Sequence, residues 1–252
     1  MIKMPTIRIL QQTLILLLLL TSTAPFAAEI EEVAEEAEKL PIPSFEAKYK
    51  VHRGGLTIGE AQRRLYQKDE TWVFESSSRT TGFAALFIKD TITERSHAYY
   101  QNGRMLPQSY LYQREGGKRE REVKLRFDWS QQRVINSIND DPWVMKIPEG
   151  TLDKFLYQLQ MMIDLEKQQP LNYQVADGGK LKQYHIDIIG SERLKTPLGE
   201  FDTVILKRRD DKRQTTMWCA ENLHYLPLKI TQIEKDGAEY RAEISQLSGL
   251  GK

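Results

Sequence analysis

The single cysteine of the chain, Cys219, lies in the stretch WCAENLHYLPLKI, five residues before His224. A thiol and an imidazole at that spacing suggest a nucleophile and its base. Such a nucleophile also needs a lowered pKa, supplied by a helix N-terminus or a nearby cation. The local sequence offers neither. Thr215, Met217 and Cys219 alternate with Thr216 and Trp218, the spacing of a strand, and Ala220 to Leu223 reads as a turn. His224 can lie across that turn from Cys219, but no glycine-rich elbow flanks the cysteine and no pair of oxyanion donors is suggested. The expectation is a buried thiol acting as a small hydrophobe, and no catalytic residue is assigned.

The four histidines, His52, His97, His185 and His224, fall on separate expected strands without ligand spacing, so neither a metal nor a cofactor is expected. Asp140-Asp141 and Asp210-Asp211 are paired carboxylates in form. Each sits among turn residues, where Asp is favoured for bonding its own backbone. The mixed charges of GGKREREVKLR suit a solvated hairpin face. Two features carry a binding reading. Tyr99, Tyr110, Tyr112 and Trp129, with Phe83, Leu86 and Phe87 of FAALF, are enough aromatic and apolar surface to line a concavity for an acyl chain or a hydrophobic peptide. Met161 and Met162 are neighbours on an expected helix and point about 100° apart, so one is expected at the surface, where methionine suits adaptable binding.

The elements that position these residues are mostly strands. Phe45, Ala47, Tyr49 and Val51 alternate with polar residues from Ser44 onward. Gly54-Gly55, Asn102-Gly103, Gly178-Gly179 and Asp236-Gly237 are hairpin turns in type. About a dozen short strands at this spacing indicate an antiparallel sandwich or barrel. Residues 151–168 break the pattern, with Leu152, Phe155, Leu156, Leu159, Met162 and Ile163 at helical spacing and Thr151 as N-cap. FAALFIKD is expected to make a brief helical turn. The fold expected is therefore mainly β: a strongly curved antiparallel or barrel-like sheet, in one version a half barrel like the periplasmic lipoprotein carriers, with one packed amphipathic helix.

The first 28 residues carry Lys3 and Arg8, an apolar run from Leu14 to Leu20, and small residues up to Ala28, the order of an export signal. Residues 9–28 are also long enough to remain as an uncleaved anchor in contact with the membrane. Residues 29–43 read as an acidic linker and 44–248 as one β-rich domain. Lys plus Arg number 36 against 35 Asp plus Glu, which excludes the basic excess of a nucleic-acid binder. One cysteine excludes an internal disulfide.

The stretch TPLGEFDTVILKRR followed by WCAENLHYLPLKI, and the opening YKVHRGGLTIGEA, resemble the bacterial exported family called domain of unknown function 3108 over about residues 44–248. The resemblance implies an envelope β domain and brings no catalytic residues with it. The function expected is a non-catalytic periplasmic module for cell-envelope biogenesis, binding an envelope protein or lipid. Two alternatives stay open: a periplasmic lipid carrier with an apolar cavity, and a hydrolase using Cys219 or a carboxylate with a histidine.

Overall fold

A computed structural model describes residues 38–86, 89–117, 120–209 and 213–251. The expected signal or anchor, Phe87, the Asp210-Asp211 turn and part of GGKREREVKLR lie outside them. The strands are β1 Phe45–Arg53, β2 Leu56–Lys68, β3 Thr71–Thr80, β4 Thr91–Gln101, β5 Arg104–Glu115, β6 Arg121–Asp128, β7 Arg133–Ile138 and β8 Asp141–Lys146. After them come β9 Leu152–Asp153, β10 Asn172–Asp177, β11 Lys180–Thr196, β12 Gly199–Arg209, β13 Gln214–Ala220, β14 Leu226–Ile233 and β15 Glu239–Ser248. They form a single sheet in the order β8 back through β1, then β15 back through β9. Every neighbouring pair is antiparallel except β9 with β10. The sheet is curved and does not close, since β8 and β9 remain as edges.

The turns follow the residue types. Asn102 and Gly103 have φ of 52° and 75°, and Gly178 and Gly179 have 57° and 81°, the left-handed conformations that two-residue hairpins require. Asn139 and Asp140 turn β7 into β8 in the same way. Bulges in β2, β5, β11, β14 and β15 add twist to the ladder, and twist is what curls so long a sheet.

The helix α1 spans Tyr157–Glu166, shorter than the expected 151–168. Thr151 does not cap it: the N-cap position is Leu156, no side chain bonds there, and Asp153 holds the turn just before the helix. Asp153 Oδ1 accepts from the N–H of Phe155 (2.9 Å) and Leu156 (2.8 Å), while the Thr151 hydroxyl donates to Pro148 O. The expectation that one of the two methionines reaches the surface is also corrected. Seven of the ten residues are buried, Met161 and Met162 both among them, so neither methionine is at the surface. The reason is placement inside the curl. Gln160 accepts from the Met105 N–H of β5 at 2.7 Å, and Ser96 of β4 donates to Asp153 at 2.9 Å. The residues of the helix that are not buried are all polar: Gln158 and Asp164 are half-buried and Glu166 is exposed. Phe155 stacks on Phe74 at 4.2 Å with rings 7° from parallel. Leu40 and Ile42 are buried in the same core, and Glu38 accepts from the Gly103 N–H. The described end of the acidic segment is therefore packed against the sheet rather than hanging as a linker.

Candidate functional site

Residues that pair directly across strands share a face of the sheet, and three inward rows define the inside of the curl. The deepest runs Phe45, Leu65, Phe74, Ser96, Tyr110, Leu125 and Asn136, and all of it is buried. The next row is Ala47, Arg63, Ser76, Glu94, Tyr112 and Val123. Its middle four residues are half-buried. The third is Tyr49, Ala61, Ser78, Ile92, Arg114 and Arg121, half-buried from Ala61 to Arg114 and exposed at Arg121. Exposure thus rises step by step toward the end that carries the Gly54-Gly55, Asn139-Asp140 and Gly178-Gly179 turns. This end is a mouth, and α1 with the deepest row is its floor.

The mouth is polar. Arg63 donates to Gln158 Oε1 at 2.9 Å and lies over the Tyr49 and Phe155 rings. Lys154 pairs with Glu94 at 3.1 Å and sits 4.2 Å from the centre of the Tyr112 ring. Tyr110 donates to the same Glu94 oxygen at 2.7 Å. On the facing strands Arg208 donates to Tyr157 OH at 2.8 Å and covers the Tyr184 ring. Lys182 and Tyr184 both reach Asp177 Oδ2, at 2.5 and 3.3 Å. Burial by itself would raise Asp177, but Lys182, Lys154 and the Tyr184 hydroxyl hold it below the usual carboxylate range. Burial, then Glu94, pushes the Tyr110 hydroxyl far up, so it stays a donor.

The residues proposed from sequence are divided by this geometry. Tyr110 and Tyr112 are inside. Tyr99 alternates with the inward Ala98 and Tyr100 and faces outward. Trp129 is at the closed end, stacked on Phe127 and donating to Pro107 O at 2.8 Å. Phe83 and Leu86 form part of a 3-10 turn over Gly82–Leu86 and project outward, 76% and 73% exposed. Met161 and Met162 are core. Arg63, Glu94, Lys154, Lys182 and Arg208 went unnoticed. The signal was present in Arg63 and Glu94, since both are charged residues on the inward parity of their strands.

Cys219 is fully buried, and burial pushes its thiol up, only partly offset by the charge of Arg63. His224 is paired with Glu166 instead. His185 bonds Asn172 and His52 bonds Thr57. Among the described residues no group of three or more His, Cys, Asp or Glu side chains lies together as a metal site would need. No helix among them is long and apolar enough to cross a membrane. The described residues also outline two concavities. One of about 380 Å³ lies at the closed end between Arg104, Asp164, Lys167 and Tyr173. One of about 830 Å³ borders the mouth, lined by Tyr49, Ala61 and Ser78 of the third inward row together with Lys48, Arg79 and Pro197.

A family model described as protein of unknown function (DUF3108) matches residues 48–245. The chain belongs to that family. Among solved structures the chain is similar to a crystal structure of a β-barrel-like protein of the domain of unknown function DUF1849 from Brucella abortus. The identity is 9%, the TM-score 0.53, and the match covers 84% of this chain and 99% of that one. At that identity the likeness is one of fold, and it agrees with the curled sheet. No curated protein matches.

Proposed function

We propose that this member of the DUF3108 family is a non-catalytic periplasmic module of cell-envelope biogenesis, holding an extended or hydrophobic partner at the mouth of its curled sheet. One observation carries the reading: the inward rows become wetter toward the mouth while keeping aromatic rings and paired charges on one concave wall. Such a wall offers stacking surfaces and donors to a polypeptide or a glycosylated envelope component. The leader-like first 28 residues support the periplasmic placement. The buried, upward-shifted Cys219 thiol gives no support to a cysteine hydrolase.

The lipid-carrier reading has one observation in its favour, the exposed Phe83 and Leu86, which are suited to touching a membrane surface. The charged inner wall speaks against it, because an acyl chain lying there would strip water from Arg63, Glu94 and Lys154. A photo-crosslinking side chain at Ser78, on the third inward row, tests the proposal in the living cell, with Lys235 on the β14–β15 turn as control. Discrete polypeptide adducts from position 78 and none from 235 support it. Lipid adducts from position 78 move the reading to the carrier, and equal or no adducts from both positions refute the mouth as a site.

A further inference from the structure

Strand β11 is longer than its neighbour. Its pairing with β10 ends at His185, and the Ile186 N–H goes to Leu171 O. From Ile188 to Thr196 it pairs with β12 on one side, and among the described residues no strand is paired with it on the other, although β15 comes close to β11. Alternate residues of an antiparallel strand turn their N–H and C=O away from the partner, so this stretch presents a row of backbone donors and acceptors over roughly 30 Å. Seven of its nine residues are exposed, with Ile188 at 61% and Ile189 at 51%.

The sheet's other edges are blunted. β8 carries Pro142, and its Trp143 is packed against Gly179. β9 is two residues long and lies inside the curl. Proteins ordinarily cover or interrupt an edge of this length. Within 188–196 there is no proline, and the devices present are the bulge at Gly190 and the charges of Glu192, Arg193 and Lys195.

We propose that the β11 edge from Ile188 to Thr196 is a strand-addition site that takes an extended segment of a client polypeptide. The class of partner follows from the edge itself. Donors and acceptors alternating along an extended backbone are matched by another extended backbone, and exposed isoleucines ask for apolar side chains opposite them. The bulge selects a flexible segment over a second copy of the edge, because two bent edges do not run straight against each other. The inference rests on backbone geometry and is independent of the mouth.

The test is amide hydrogen exchange on the full chain with a capped ten-residue peptide alternating valine with threonine and lysine. The control peptide has proline at each valine. Exchange in 188–196 should slow at least tenfold with the first peptide and not with the second. The I188K/I189K double variant, altered only at exposed positions, should weaken that binding at least tenfold. Unchanged exchange in 188–196 overturns the proposal. So does slowing confined to the inward residues of β3 and β4, which would support the mouth instead. Slow exchange there without peptide also overturns it: rising with protein concentration it identifies a second copy as the occupant, and constant it identifies a segment of the same chain.

Discussion

Replacing Asp153 with asparagine tests how the floor of the mouth is held. Asp153 Oδ1 accepts from Ser96 Oγ and from the N–H of Phe155 and Leu156, while Oδ2 is buried without a hydrogen-bond partner. Burial, opposed by those three donors and reinforced by Glu94, lifts the carboxyl from 3.8 to about 6. The folded protein therefore holds this proton more tightly than the unfolded chain does. Between about pH 4 and pH 6 the native state binds more protons, and stability falls as pH rises through that window. The loss amounts to about 3 kcal/mol at 1.36 kcal/mol per pKa unit. The D153N amide keeps an oxygen for the three donors and cannot ionise. It should match the wild type below pH 4 and exceed it by up to about 3 kcal/mol at pH 7, about 6–12 °C in Tm for a chain of this size. Urea unfolding in half-unit pH steps measures the difference, and groups common to both proteins cancel. D153A strands the three donors instead and should lie about 2–5 kcal/mol below D153N at every pH, since neither side chain titrates. A difference between D153N and wild type that is flat in pH, or a D153N as unstable as D153A, would refute the reasoning.

Two further expectations concern packing. The Cys219 thiol should react with a thiol reagent only through unfolding, at least about a thousandfold slower than in urea; fast native-state labelling would contradict its burial. A Cβ on Gly179 would stand 2.0 Å from Trp143 Cζ2 at φ 81°, whereas on Gly178, at φ 57°, the nearest atom is Arg121 Nη2 at 3.7 Å. G179A should therefore cost about 2 kcal/mol or more than G178A and shift the tryptophan emission, because only the first displaces an indole. Equal losses in thermal denaturation would show that β8 is not held at that turn.

The strands were legible because each needs only local information. Alternation placed β1, and Asn102-Gly103 turned β4 into β5 where the residue types require it. The helix was legible in its middle and misread at its ends. Thr151 and Asp153 are both reasonable caps in sequence. Neither caps α1: Asp153 holds the turn before it, where Ser96, 57 residues away, supplies a third donor to the same oxygen. Burial of both methionines was illegible for a related reason. A helix lying inside its own sheet can bury both of two neighbouring residues, and no window of the helix sequence reports what surrounds it. The aromatic concavity was read by composition, whereas membership is decided by parity. Tyr100 and Tyr110 turn inward while Tyr99, one residue along, turns out.

Parity also bears on what the mouth can hold. Arg63 stands between Ala61 and Leu65 on the inward side of β2, and Glu94 between Ile92 and Ser96 on that of β4. A charge at an inward position costs free energy unless it is paired or wet. Here each is both: Arg63 meets Gln158 and Glu94 meets Lys154 at the head of the helix, and all four remain partly in water. These contacts seat the helix, which accounts for half of each charge's surroundings. The wet half is where a ligand would lie. An acyl chain would remove that water and return no hydrogen bond. An extended polypeptide would remove it and offer an N–H or C=O about every 3.3 Å, with Tyr112 for its side chains. The same comparison ranks the proposed partners, extended peptide above lipid, and it turns on charges rather than on the aromatics that first suggested a site.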